Sequence, residues 1–196
     1  MDYKQGRENA AMFETVTGKI ITGNLLFAGC CIVYLIWWSV AFRPGYSAAM
    51  SVKGGLFLLT AILGVMGLAR IIQGCSGTEG GLRYIFIIAA GAVVYIALLL
   101  LTNLLMQRQV TTELMLIVFW ACMQICALNA LYGDAAIGKV AFAVMAVIVL
   151  AAAAAGMICY LKYYDLPPMT AFYDGMVPLI LFAVVMIGET VYLLLR

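Results

Sequence analysis

The sequence predicts an all-α integral membrane protein, an up-down bundle of six transmembrane helices with both termini cytoplasmic. Three observations carry that expectation. Six apolar runs, residues 20–42, 55–74, 84–105, 114–132, 140–161 and 176–195, are each 19–23 residues long. At about 1.5 Å per residue each reaches across a hydrocarbon core of about 30 Å, where a backbone must pair internally and helices do so. The connections between them are short, the longest (162–175) having 14 residues, which makes sequential helices antiparallel neighbours. Lys4, Arg7, Lys19, Arg70, Arg83, Lys139 and Arg196 fall on the amino-terminal side, against Arg43, Lys53, Arg108 and Lys162 on the other. That excess places the termini inside, and the expected location is the cell membrane.

Each element has a local reason. Residues 1–19 are mostly polar and read as an interfacial segment leading into the first span. The apolar run behind them is longer than a signal-peptide core and no A-x-A-like site follows it, so cleavage is not expected. Arg43-Pro44-Gly45-Tyr46 stops the first helix, because proline lacks a donor and restricts the residue before it. The second run carries Gly64 and Gly67, and a glycine-rich turn over 74–81 follows it. In the third, small residues gather at 89–92; residues 107–112 form a tight turn with Thr111 or Thr112 capping the fourth helix. Gly133-Asp134 ends the fourth, the fifth holds a small-residue stretch over 151–156, and Asp165-Leu166-Pro167-Pro168 ends it. Small residues let helix backbones approach in lipid, where no hydrophobic drive acts between helices. The small clusters therefore predict tight helix contacts or, alternatively, a narrow pore, and the Gly64/Gly67 face is a candidate contact between copies. The two halves of the chain show no self-similarity that would mark an inverted repeat.

Several function classes drop out on composition. There is no histidine, which removes histidine proton relays, bis-histidine haem, and Ser-His or Cys-His nucleophiles. No phosphate-binding G-x-x-x-x-G-K-[ST] loop, G-x-S-x-G elbow or C-x-x-C pair occurs. The connections leave no room for a soluble domain, lipidation motifs are missing, and a scattered net charge of +2 does not suit nucleic acid. Cys30, Cys31, Cys122 and Cys126 lie at mid-membrane depth and none of the six cysteines sits in an outer loop, so free thiols acting as small hydrophobes are expected. Twelve methionines and six cysteines raise the idea of soft Cu(I) ligation, with Cys122 and Cys126 one turn apart. The methionines form no M-x-x-x-M repeat, and no metal or cofactor is expected.

Polar residues inside the runs are the candidate functional groups. Glu189 is the one carboxylate within an apolar run, and such groups face a bundle interior or a cavity. It can handle a proton or cation, snorkel, or pair with an arginine such as Arg70. Arg70 itself can bind an anionic substrate or reach lipid headgroups. Around the fourth helix, Glu113, Trp120 and Gln124 share one face while Cys122, Cys126 and Asn129 share the opposite one, which makes this helix the expected centre of the bundle. Asn24, Thr102 and Asn103 add further polarity. Asn24, Arg70, Asn103, Gln124, Asn129 and Glu189 thus form a candidate polar path, with interhelical hydrogen bonding as the alternative role. On the outer side, Trp37, Trp38, Arg43, Arg108, Glu113, Asp165 and Asp174, with neighbouring tyrosines, form a candidate aromatic mouth. A plain aromatic belt explains the same residues.

The functional expectation is a channel, secondary transporter or transporter subunit for a small solute. The alternatives are a membrane enzyme or lipid- or ligand-binding protein acting at the outer mouth, and a non-catalytic subunit of a larger complex. The expected partners are the lipid bilayer and, in addition, further copies of the chain or other membrane subunits.

Overall fold

A computed structural model describes residues 14–43, 48–78, 81–106 and 112–196, excepting the side chains at 105, 106, 112 and 113. Among the described residues seven helices follow one another: α1 Val16–Phe42, α2 Met50–Ser76, α3 Gly81–Met106, α4 Thr112–Gly133, α5 Lys139–Tyr163, α6 Pro168–Asp174 and α7 Val177–Leu195. Among the described residues there is no strand. Six stretches are long and apolar enough to cross a membrane, the last being Pro168–Leu195, which joins α6 and α7. The chain is a polytopic, all-helical membrane protein.

Helices α1 to α5 extend past the apolar runs at one or both ends. α1 starts at Val16, ahead of its apolar run, where the Thr15 hydroxyl accepts the Gly18 N–H at 3.1 Å and satisfies one of the donors a helix start leaves open. Pro168 starts α6, where its missing N–H would be unpaired in any case. The final run, read from sequence as one helix over 176–195, is preceded by this extra helix and a turn at Gly175 and Met176. Gly175 permits that turn by its lack of a side chain: an added Cβ would lie 2.8 Å from the Trp38 ring. Between α4 and α5 the reversal runs through Ala135 at φ 56°, a left-handed conformation rare for a residue with a Cβ. Arg196 donates across this reversal to the Ala136 carbonyl, tying the end of α7 to it. Breaker residues 44–47 and turn residues 79, 80 and 107–111 lie outside the described set.

Large apolar side chains are exposed along every long helix, so close packing rather than hydrophobic burial must distinguish inside from outside. The tightest approach joins α1 to α2 at Gly23 and Gly67. A Cβ on Gly23 would meet Ile71 Cγ1 at 2.5 Å and the Gly67 carbonyl at 3.1 Å; one on Gly67 would meet Phe27 at 2.7 Å. The Gly64/Gly67 face therefore makes its close contact with α1 of the same chain, Gly64 lying against Cys30. Gly156 does the same for α5 and α7, against Phe182 and Pro178. The 89–92 stretch differs from expectation. Only Gly91 is buried, against the Cys122 sulfur, while Ala89, Ala90 and Ala92 are exposed, because α3 touches the bundle chiefly through α4.

α4 is the central helix. In its most apolar stretch 67% of residues are buried, against 11–28% in the other five spans. It contacts α1, α2, α3 and α5, and its polar residues on two faces reflect that it has protein on both sides.

Candidate functional site

Three buried polar side chains from three helices meet at one depth. Asn24 lies eight residues from the start of α1, Gln124 nine from the end of α4, and Glu189 six from the end of α7. Those offsets put all three about 9–14 Å from the end of the bundle that carries the termini. Asn24 and Gln124 are fully buried and Glu189 is 5% exposed.

The hydrogen bonds form a directed chain. Gln124 Nε2 donates to Asn24 Oδ1 at 3.2 Å, and Asn24 Nδ2 donates to Glu189 Oε2 at 3.1 Å. Asn24 can occupy the middle because an amide both donates and accepts. The chain ends on the acidic group, and three oxygens are left over: Gln124 Oε1, Glu189 Oε1 and the adjacent Thr190 Oγ1 are buried without a hydrogen-bond partner. A buried unpaired polar atom costs about 1–3 kcal/mol, so this cluster is under-satisfied as a purely structural clamp. Its partners are neutral amides; among the described residues the one ion pair is Lys19–Glu14 at 3.9 Å, on the polar approach to α1.

Apolar residues close the cluster on both sides along the bundle. Toward the terminal end, Ile20 of α1 and Leu128 and Leu131 of α4 are essentially fully buried. Toward the other end stand Met186, at 0% exposure, and the stacked pair Trp120–Phe182, with ring centroids 3.9 Å apart and planes 13° from parallel. The Trp120 Nε1–H is itself buried without a partner. One turn separates Trp120 from Gln124 and Met186 from Glu189 or Thr190, so these plugs sit directly over the polar layer.

The remaining candidates of the polar path lie elsewhere. Arg70 donates along its own helix to Gln73 Oε1 at 3.5 Å and makes no ion pair with Glu189. Asn103 is exposed on α3, which stands outside the central packing. Asn129 is half-buried and points away from the Gln124 face of α4. Thr102 bonds back to the Leu98 and Leu99 carbonyls of its own helix.

At the opposite end, the aromatic residues act as staples. Trp38 Nε1 donates to the Phe172 carbonyl at 3.1 Å and its ring lies over Phe42, Tyr163 and Gly175, fastening α1 to α6. Trp37 packs on Tyr34, Phe42 and Phe57, linking α1 to α2. Arg43 and Asp165 are exposed, and Asp174 is half-buried beside Cys159 with Oδ2 unpartnered. Arg108 and the Glu113 side chain lie outside the described residues. All six cysteines are free, and among the described residues no three His, Cys, Asp or Glu side chains gather as a metal site.

Sequence reasoning does not single out Thr190 or the Met186–Phe182 face. The signal for Phe182 and Met186 is nonetheless there, since they precede Glu189 at helical spacing on its face of α7, whereas Thr190, the next residue, lies about 100° round the helix. Comparison with known proteins finds no family model that matches the chain, and neither the curated proteins nor the solved structures give a match.

Proposed function

We propose that the chain is a small cation-coupled secondary transporter, with Asn24, Gln124 and Glu189 as an occluded site for a proton or a sodium ion. The observation that supports this reading is the unbalanced cluster itself. It holds an acidic group and two amides, next to the Thr190 hydroxyl, with three oxygens unpartnered and, among the described residues, no basic side chain paired to it. Hard oxygen donors suit a proton or a hard cation, and a positive particle is what such a set lacks. Acidic groups within membrane spans mark ion pathways and proton relays. The apolar plugs on either side fit a closed intermediate of alternating access, in which the site reaches neither water phase.

A carbodiimide test separates this from a permanent structural clamp. Dicyclohexylcarbodiimide reacts with the protonated acid in an apolar setting, the carboxyl O–H adding across one C=N bond to give an O-acylisourea. Expected in proteoliposomes is labelling of Glu189, slowing as pH rises and absent in Glu189→Gln. Competition by sodium at fixed pH identifies a sodium site, and its absence a proton site. A wild-type protein that is never labelled, or labelled at a rate blind to both pH and sodium, overturns the proposal.

A further inference from the structure

α1, α4 and α7 run unbroken through the polar layer, helical over Val16–Phe42, Thr112–Gly133 and Val177–Leu195. Every backbone carbonyl at that depth is therefore engaged by an N–H four residues on. Sodium sites within membrane bundles draw on carbonyls freed where a helix unwinds, and none is freed in this layer. Side-chain oxygen is what remains. Asn24 Oδ1 and Glu189 Oε2 already accept hydrogen bonds, which leaves Gln124 Oε1, Glu189 Oε1 and Thr190 Oγ1. Glu189 and Thr190 project about 100° apart around α7, and Gln124 connects to Glu189 only through Asn24.

Space points the same way. None of those three oxygens presents surface to a water-sized sphere, and Asn24 and Gln124 are wholly enclosed. Donors are mixed among the acceptors: both amides bring N–H groups, and the unpartnered Trp120 N–H lies one turn from Gln124. A sodium ion must exchange its water for a shell of oxygens. Here it would meet few oxygens, set on different faces, and several N–H groups. A proton needs one oxygen, no shell and no volume. Its place is set by the bonds already made: Oε2 accepts from Asn24, so the O–H forms on Oε1. Protonation also removes the buried carboxylate charge, which no paired basic group among the described residues offsets.

Resting on the cation-coupled reading above, we infer that the cation of this site is a proton, carried on Glu189 Oε1, and that sodium does not bind there. Other titratable groups stand away from it. α7 packs chiefly on α1 and α5. Lys19 of α1 pairs with Glu14, Lys139 and Lys162 of α5 are exposed at the two ends of that helix, and Arg196 bonds the Ala136 carbonyl. The thiols and phenols of α1 begin six residues beyond Asn24, at Cys30, and those of α5 begin at Cys159, farther still. All therefore lie about 9 Å or more toward the opposite end. Cys122 and Cys126 face away across α4.

Infrared difference spectroscopy of the full chain in proteoliposomes tests the assignment. Expected is a protonated-carboxyl C=O band that shifts in heavy water, is lost as pH rises, and is unchanged when sodium replaces choline at fixed pH. Glu189→Gln, which keeps the shape of the neutral acid, should delete the band, and Glu189→Asp should move it. Gly188→Ala, on the exposed face with nothing within 4 Å, should keep it. So should Thr190→Val, which deletes an oxygen that a sodium site would use. A band that sodium removes at fixed pH overturns the inference and leaves cation coupling standing. A band that neither pH nor sodium moves, or no band at all, overturns both.

Discussion

Removing the middle of the polar chain and removing its end should have very different effects on stability. Asn24→Leu deletes both hydrogen bonds at once and strands two buried groups, the Gln124 amide N–H and Glu189 Oε2. At about 1–3 kcal/mol for each stranded group, the variant should be destabilised by about 2–6 kcal/mol. Gln124→Leu strands only Asn24 Oδ1 and, in the same stroke, removes Gln124 Oε1, which has no partner in the native protein. The two terms have the same size and opposite sign, so this variant should stay within about 1 kcal/mol of wild type. The double variant leaves Glu189 Oε2 as its single newly stranded group. It should therefore be less destabilised than Asn24→Leu alone, a non-additivity that a double-mutant cycle reads directly. Reversible unfolding in mixed micelles, or steric trapping in bicelles, gives the three free energies. Equal losses in the two single variants, or strict additivity in the double, would refute the directed chain and its unpartnered acceptors. The comparison is useful beyond stability, because a folded Gln124→Leu protein is the right background for asking whether cation competition at Glu189 survives.

Four further outcomes follow from other contacts. Gly23→Ala places a methyl 2.5 Å from Ile71 Cγ1 and 3.1 Å from a backbone carbonyl, and should lower stability by about 1–3 kcal/mol. Gly54→Ala, with nothing within 4 Å, should be neutral or slightly stabilising in the same micelle unfolding assay, since alanine is the better helix former. Trp38→Phe keeps the ring stack but loses the bond to Phe172, so amide exchange should speed up across α6 while α4 stays protected. Trp120→Phe removes a buried N–H that has no partner and preserves stacking on Phe182. Its stability should therefore fall by less than that of Trp120→Leu, measured by the same unfolding.

Much of this arrangement was legible in the sequence because membrane helices obey two simple geometric rules. Length fixes which stretches cross the membrane, and depth fixes which residues can meet. Counting from helix ends puts Asn24, Gln124 and Glu189 in one layer, and that count needs no coordinates. Polar residues on two sides of residues 114–132 likewise announce a helix surrounded by protein. What the sequence could not supply was rotation and neighbour choice. The outward faces here are mostly apolar, like the inward ones, so the order of polar and apolar residues along α3 does not say which of its sides faces inward. The 89–92 stretch looked like a packing surface, yet only Gly91 packs. Arg70 and Glu189 looked like partners by charge, yet Arg70 turns along its own helix to Gln73.

The same reasoning explains why the polar layer and an apolar slot between α2, α3 and α4 fall on opposite faces of one helix. α4 has Gln124 and Trp120 on the side packed with α1 and α7, and Cys122 and Cys126 on the side toward α3. Gln124 and Glu189 are tolerable only where neighbouring helices close around them, which the α1–α4–α7 side provides. The thiol side accepts incomplete packing, because hydrocarbon can enter where a helix is missing and no polar group is stranded by it. A substitution that put a second amide at Cys126 would therefore be more disruptive than one at Asn129. At 126 the amide would face the apolar slot without a partner; the half-buried position 129 already carries one. Cys126→Asn should lower stability by about 1–3 kcal/mol, and Cys126→Ala by less than that, in the same micelle unfolding assay. Equal tolerance of asparagine and alanine at 126 would mean that the slot admits water, and the contrast drawn between the two faces of α4 would fail.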